Sequence, residues 1–390
     1  MSYSQQSFSL NYDPLDQQIN FEGIFRPANQ QEAQTTLDYM VDVHDKVKGA
    51  LRLNFRKLRY INAVGVRTLS SFVNYARQQN SLNLKVIASG VLAWSERVLP
   101  NLKEVWEDVD FSIYDQNFYR SQNIIEDQSF IPLLRNQTRI LWPQEMPILQ
   151  KHGLEQGMRV ADICCGCGDV PLLISRELKP SFIMGIDHSA AAIGHARGMQ
   201  NEFEIHNADF QRGDATALMM YDNSFDFVLC RLSLQIFSQP EDILQELVRI
   251  TKPGGRIYAL CEDYDHIVGF PESEAIRQTY TLAAEYGDQM GMDLRSGKKL
   301  HHFFTQARLD DIQTDHIVVD TNNSDRDAFA EVIKSWQKFS VHTIGSQLNL
   351  SSREQITLNQ GYESQLRAIE NPAGYTTWGL VACSGQKPLQ

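Results

Sequence analysis

Two hydrophobic periods take turns along the chain. Ile19–Phe25 and Leu51–Phe55 alternate apolar with polar residues, the two-residue period of a strand with one buried face. Between them, Gln31–Val47 sets Leu37, Met40, Val41 and His44 at helical spacing. Val66–Gln79 gathers Leu69, Phe72, Val73 and Ala76 on one stripe, and Asn62-Ala-Val-Gly65 reads as the turn that enters this helix. Leu84–Ala88 predicts a third strand, and Val91–Trp106 a helix despite Pro100. This alternation requires parallel strands with helices packed over the sheet.

A second alternating region follows. Gln128–Trp142 predicts a helix that Pro143 and Pro147 interrupt. Arg159–Ile163 is a short apolar strand, Val170–Leu178 an amphipathic helix, and Phe182–Ile186 a second strand ending at Asp187. A third strand ends in Gln211-Arg-Gly-Asp-Ala215, and a fourth follows Asp222-Asn-Ser-Phe-Asp226. Pro240–Ile250 is helical, and Lys252-Pro-Gly-Gly255 turns into a fifth strand. Ile312–Val319 and Thr376–Ser384 predict the last two strands. Helices are expected at Glu272–Met290, Asp325–Val341 and Ser352–Ile369. The expected domains are residues 1–115, a linker with N-terminal helices at 116–150, and a large domain at 151–390 with a helical lid insertion at 320–370.

Composition narrows the class. With 42% hydrophobic and 22% charged residues over 390 positions, the chain has the make-up of a globular protein of two or three domains. The net charge of −12 is unevenly placed: residues 1–115 carry 12 Lys+Arg against 13 Asp+Glu, so the acidity belongs to the remainder. A phosphate backbone repels such a chain, which argues against nucleic-acid binding and against basic docking on a membrane. The opening MSYSQQSFSLNYDP has neither the basic nor the apolar stretch of an export signal, and no apolar run is long enough to span a bilayer. All six cysteines lie beyond residue 163, and this clustering suits a reducing cytoplasm better than a disulfide framework. Adjacent Cys164 and Cys165 cannot both turn easily to one ion, so a small-residue turn is expected there and no metal.

The chemistry concentrates after Met158. A strand, the small-residue turn Cys164-Cys-Gly-Cys-Gly168, a helix and a second strand ended by an acid make the logic of an adenosine-binding site. Glycines let the backbone approach the ligand, and the acid accepts hydrogen bonds from the ribose hydroxyls. A dinucleotide fingerprint would need glycine at 171, where this chain has proline. Asp162, just ahead of the turn, would repel a pyrophosphate and suits a ligand with an ammonium and a sulfonium.

Asp162-Ile-Cys-Cys-Gly-Cys-Gly-Asp169, together with the Asp222-Asn-Ser-Phe-Asp226 and Lys252-Pro-Gly-Gly255 segments, resembles the class I S-adenosylmethionine (SAM)-dependent methyltransferases, most of all their ubiquinone/menaquinone branch. The likeness runs over about residues 120–385. It implies an α/β Rossmann-like fold with a seven-stranded sheet, SAM as methyl donor and S-adenosylhomocysteine (SAH) as product. It implies Asp162, Gly166 and Gly168 around the methionine moiety, with Cys164 in the same turn. Asp187 would hold the ribose, His188 would flank the adenosine, Asp214 and Ala215 would meet the adenine, and Arg231 would line the methyl-transfer cavity. The segment after the fourth strand, Cys230-Arg-Leu-Ser-Leu234, lacks the Asn/Asp-Pro-Pro-aromatic signature of nucleic-acid amino methyltransferases, so a small-molecule acceptor is expected. A protein methyltransferase and a non-catalytic SAM-sensing regulator are the alternatives. Candidates for taking a proton sit where the fifth strand ends, at Glu262, Asp263, Tyr264 and His266, with Tyr264 and His266 assigned as catalytic.

Upstream, ALRLNFRKLRYINAVGVRTLSSFVNYARQQNSLNLKVIASG resembles the STAS domain of anti-sigma-factor antagonists and sulfate transporters. The resemblance implies a small α/β module for docking a protein partner or a second copy. That family phosphorylates a serine in the turn where this chain has Ala63, so no serine phosphoswitch is expected.

Overall fold

The computed structural model describes residues 2–5, 8–14, 17–88, 94–113, 130–289, 291–344 and 352–389. Val91, Gln128 and Met290, where three expected helices begin or end, lie outside the described residues. The chain divides into two compact units, Met1–Asn117 with Thr216–Met219, and Phe118–Ala215 with Met220–Gln390.

The first unit holds a six-stranded sheet whose strands lie in chain order: β1 (Ser2–Gln5), β2 (Phe8–Asp13), β3 (Gln18–Phe25), β4 (Gly49–Ile61), β5 (Leu82–Ala88) and β6 (Asp110–Ile113). The first three are antiparallel, and β3 through β6 are parallel. Parallel neighbours need crossover connections, which α1 (Gln30–Lys46), α2 (Ala63–Gln79) and α3 (Ser95–Val105) supply. Asn62 caps α2 by accepting a 2.8 Å hydrogen bond from the Gly65 N–H, so the expected turn is the helix N-terminus and Ala63 its first residue. Phe21, Phe25, Phe55 and Phe72 fill the core. The sequence pattern pointed to three of these strands; β1, β2 and β6 are four to six residues long and rich in Ser, Asn, Gln and Asp.

The second unit begins with α4 (Ile131–Lys151), then β7 (Arg159–Ile163), α5 (Asp169–Glu177), β8 (Phe182–Asp187), α6 (Ala190–Glu202), β9 (Ala208–Arg212) and β10 (Phe225–Arg231). α7 (Pro240–Ile250), β11 (Thr251–Glu262), β12 (Gly269–Phe270), α8 (Ser273–Gln289), α9 (Leu300–Gln306) and β13 (Asp310–Asp320) follow. α10 (Arg326–Lys338), α11 (Ser352–Glu370) and β14 (Tyr375–Gln386) complete it. Across the sheet the order is β9-β8-β7-β10-β11-β14, with β13 on the far side of β14. β14 runs antiparallel to β11, β12 and β13, and β9, β8, β7, β10 and β11 are parallel. Strand order reverses between β7 and β10, which opens a crevice at their C-terminal ends.

Two expectations change. The sheet has eight strands rather than seven, because the chain bulges out after Glu262 and rejoins β14 at Gly269↔Thr376 as β12. The prolines do not end the helix either: α4 continues through Pro143 and Pro147. Each proline removes one backbone hydrogen bond, and burial of Leu141, Trp142, Glu145 and Leu149 along the same stretch holds the helix together.

Candidate active site

The backbone turns sharply where β7 ends. Cys164 has φ 64° and Gly168 φ 81°, the left-handed region that favours glycine. A Cβ on Gly168 would stand 2.6 Å from the Ala196 Cβ and 2.7 Å from Phe210 Cε1, so space and conformation both require glycine there. Cys165 N–H donates to the Ile186 carbonyl at 2.9 Å, which ties the turn to β8. Asp187, the acid at the end of β8, completes the tie: Oδ2 accepts from Gly166 N–H at 2.8 Å and Oδ1 from Ser189 N–H at 2.9 Å. Burial pushes the Asp187 carboxyl up, and the Ser189 and Gly166 N–H groups draw it back down.

Beneath the turn lies a cluster of charge. Asp162 is 2% exposed, its Oδ1 has no hydrogen-bond partner among the described residues, and burial pushes its carboxyl up to about 8. The Arg231 guanidinium opposes that rise, whereas Glu145 and Asp187 add to it. Arg231 itself is held by wholly buried Glu145: Nε donates to Oε1 at 2.5 Å and Nη2 to Oε2. The Tyr258 hydroxyl donates to the same Oε1 at 3.3 Å.

These groups border a cleft of about 1500 Å³, its open mouth included. Part of the wall is the turn, with Cys164, Gly166, Asp187 and His188; the rest is mainly apolar, with Phe237, Met292, Leu294, Trp336 and Phe339. Glu262 also faces it, 5% exposed, its carboxyl pushed up to about 8 by burial and drawn down by a hydrogen bond from Gln235. Tyr264 lines the cleft and packs with its ring 5.9 Å from that of Trp336, which meets Trp378 edge-on at 5.1 Å.

Of the residues singled out from the sequence, Cys164, Gly166, Asp187, His188, Arg231, Glu262 and Tyr264 come together on the cleft wall. Asp162, Gly168, Asp214, Ala215 and His266 are not on it. Asp162 lies inside β7, Gly168 starts α5, and Asp214 and Ala215 follow the end of β9. His266, assigned as catalytic from the sequence, lies off the cleft wall. The single turn Tyr264–His266 sends Tyr264 inward, whereas the His266 side chain is 53% exposed, with Nδ1 3.7 Å from Asp263 and its ring 6.3 Å from that of His316. Glu145 and Gln235 escaped the sequence reading. Glu145 did leave a signal, being the single acid of α4 and standing between Pro143 and Pro147.

Acid borders the cleft: Asp187 and Glu262 stand on its wall and Asp162 beneath the turn, while the Arg231 charge is spent on Glu145. Burial keeps Asp162 and Glu262 protonated below about 8. A sulfonium cation beside an adenosine fits that turn and would favour the ionised form of these acids.

Residues 154–308 match a family model described as a methyltransferase domain. Over this stretch the chain is similar to methyltransferases. The chain is 28% identical over 134 residues to a demethylmenaquinone methyltransferase of Listeria welshimeri, covering 34% of this chain and 56% of the relative. A demethylmenaquinone methyltransferase of Oceanobacillus iheyensis is 23% identical over 126 residues, covering 32% and 53%. The chain thus spans about half the length of the curated relatives it matches. Among solved structures, phosphoethanolamine N-methyltransferase 2 of Haemonchus contortus, in complex with SAM, is 16% identical with a TM-score of 0.45, covering 95% of this chain and 94% of that one. Among the described residues, no helix is long and apolar enough to cross a membrane.

Proposed function

We propose that the protein transfers the methyl group of SAM to a small, largely apolar acceptor and releases SAH. The observation that carries this reading is the continuity of one cleft: its glycine turn and Asp187 suit an adenosine, and its apolar end suits a second molecule. Bound SAM would supply an electrophilic methyl on a positively charged sulfur. Asp187 would accept from the ribose hydroxyls, His188 would flank the adenosine, and Asp214 with Ala215 would meet the adenine. Gly166, Gly168 and Cys164 shape the turn around the methionine moiety, and Asp162 with Arg231 sets the charge beneath it.

From the expected lid insertion, α10 and the turn after it cover the apolar end through Trp336, Phe339 and Ser340. Excluding water there protects the activated methyl and strengthens electrostatic contacts. The first unit, read as a STAS-like module with Ala63 in place of a phosphorylatable serine, docks a partner or a second copy.

SAH formation from SAM, followed chromatographically over a panel of small aromatic and aliphatic acceptors, tests the assignment. Turnover with at least one acceptor supports it. Tight SAH binding without turnover across the panel would favour a non-catalytic SAM sensor, and turnover only on a protein acceptor would move the reading to a protein methyltransferase.

A further inference from the structure

The apolar end of the cleft contains one carboxylate that the fold does not use. Glu262 is the last residue of β11 and faces the cleft. Tyr264 feels its charge, and Trp336, Met292 and Leu294 line the same cleft, whose Arg231 is paired with Glu145. Asp187, also on the cleft wall, binds two backbone N–H groups, and Glu145 binds Arg231. Asp162, its Oδ1 without a partner among the described residues, lies inside β7 and off the cleft wall. Glu262 has only Gln235, whose own Oε1 is buried without a partner among the described residues. Once ionised, Glu262 and the Gln235 carbonyl thus present more acceptor sites than the Gln235 amide has donors to meet. A buried acceptor left unmet is costly, which selects against the arrangement unless a ligand supplies the donor.

We propose that Glu262 grips the reacting X–H group of the acceptor and takes its proton, with Gln235 orienting the carboxylate, so that the acceptor is an uncharged aromatic bearing a hydroxyl or amino donor. The inference rests on the methyltransferase reading and names the substrate class of that site. The step balances. The lone pair of X forms the bond to the methyl carbon as the methyl–sulfur bond breaks, and the electron pair of that bond stays on sulfur, leaving neutral SAH. The proton of X moves to a Glu262 oxygen and passes to solvent on product release. A carboxyl whose pKa lies near the working pH suits a general base, and burial has moved Glu262 there. The titratable groups that feel its charge are Cys261 behind it on β11, Tyr264 on the following turn, Tyr280 on α8 and Tyr362 on α11, each itself raised by burial.

The test uses the full chain saturated with SAH and three probes: naphthol, naphthylamine and the methyl ether of naphthol, which has no donor. The wild type should bind naphthol or naphthylamine at least roughly tenfold more tightly than the ether. Which of the two prevails separates hydroxyl from amino acceptors. Naphthol affinity should change as pH passes about 8. Glu262→Gln keeps the shape and should remove that pH dependence while SAH affinity stays unchanged. With whichever probe is methylated, the same variant should lower kcat by roughly a hundredfold or more with a smaller change in KM. Equal binding of the three probes, binding of none, or a Glu262→Gln protein with the wild-type pH profile overturns the proposal. Absence of SAH binding by the wild type would instead overturn the methyltransferase reading beneath it.

Discussion

Arg231 and Glu145 form a buried ion pair that joins the end of β10 to the proline-flanked stretch of α4. Both side chains are buried, and the Tyr258 hydroxyl shares the carboxylate. Removing one partner strands the other, so Glu145→Gln is expected to destabilise the second unit by about 3–5 kcal/mol. Chemical denaturation followed by tryptophan fluorescence measures this. A loss below about 1 kcal/mol, the range of exposed pairs, would show that the pair is not buried as described.

Gly168 admits no side chain. A Cβ there would meet Ala196 and Phe210 at under 3 Å on a backbone with φ 81°. Gly168→Ala is therefore expected to cost about 1–3 kcal/mol in stability and to weaken SAH binding through the displaced turn. Thermal melting with and without SAH checks both effects; a variant with wild-type values in both would remove the turn from the account.

Stability should fall as pH rises from about 4 to about 8. Asp162 and Glu262 have folded carboxyls at about 8, above the ordinary values of 3.8 and 4.5. Across that window the folded chain holds protons that the unfolded chain has released, so raising the pH favours unfolding, and the loss is complete above the folded value. Asp162→Asn should flatten the decline. Melting temperatures of the SAH-free protein across this range test the sign, and a steady rise would contradict it.

Trp336 serves two ends. It lines the cleft, yet it also packs on Tyr264, Tyr280 and Trp378 at 5.1–6.2 Å. Trp336→Ala should remove about 3–5 kcal/mol of stability and impair acceptor turnover, with SAH affinity less affected because the turn and Asp187 lie on other elements. A melting curve and an SAH titration on one sample separate these effects; parallel loss of both would assign Trp336 to packing alone.

Much of the second unit was legible in the sequence because its strands are apolar runs bounded by turn residues, and Asp187 ends one of them. Proximity across the chain was not legible. Glu145 and Arg231 lie 86 positions apart, and only the fold brings their side chains together. The same limit explains His266: strand-end position gave Tyr264 and His266 equal standing, and one turn of backbone separates their directions. β1 and β6 are only four residues long, too short for a two-residue period to stand out, whereas β2 does alternate, with Phe8, Leu10 and Tyr12 on one face.

The central claim is that the turn and Asp187 hold an adenosine ligand, and calorimetry of SAH binding tests it most directly. The wild type should bind SAH at one site per chain. Asp187→Ala should weaken binding by about 1.5–3 kcal/mol for each charge-assisted hydrogen bond lost, while circular dichroism shows the fold retained. SAH affinity unchanged by Asp187→Ala, or no binding by the wild type, would contradict the account.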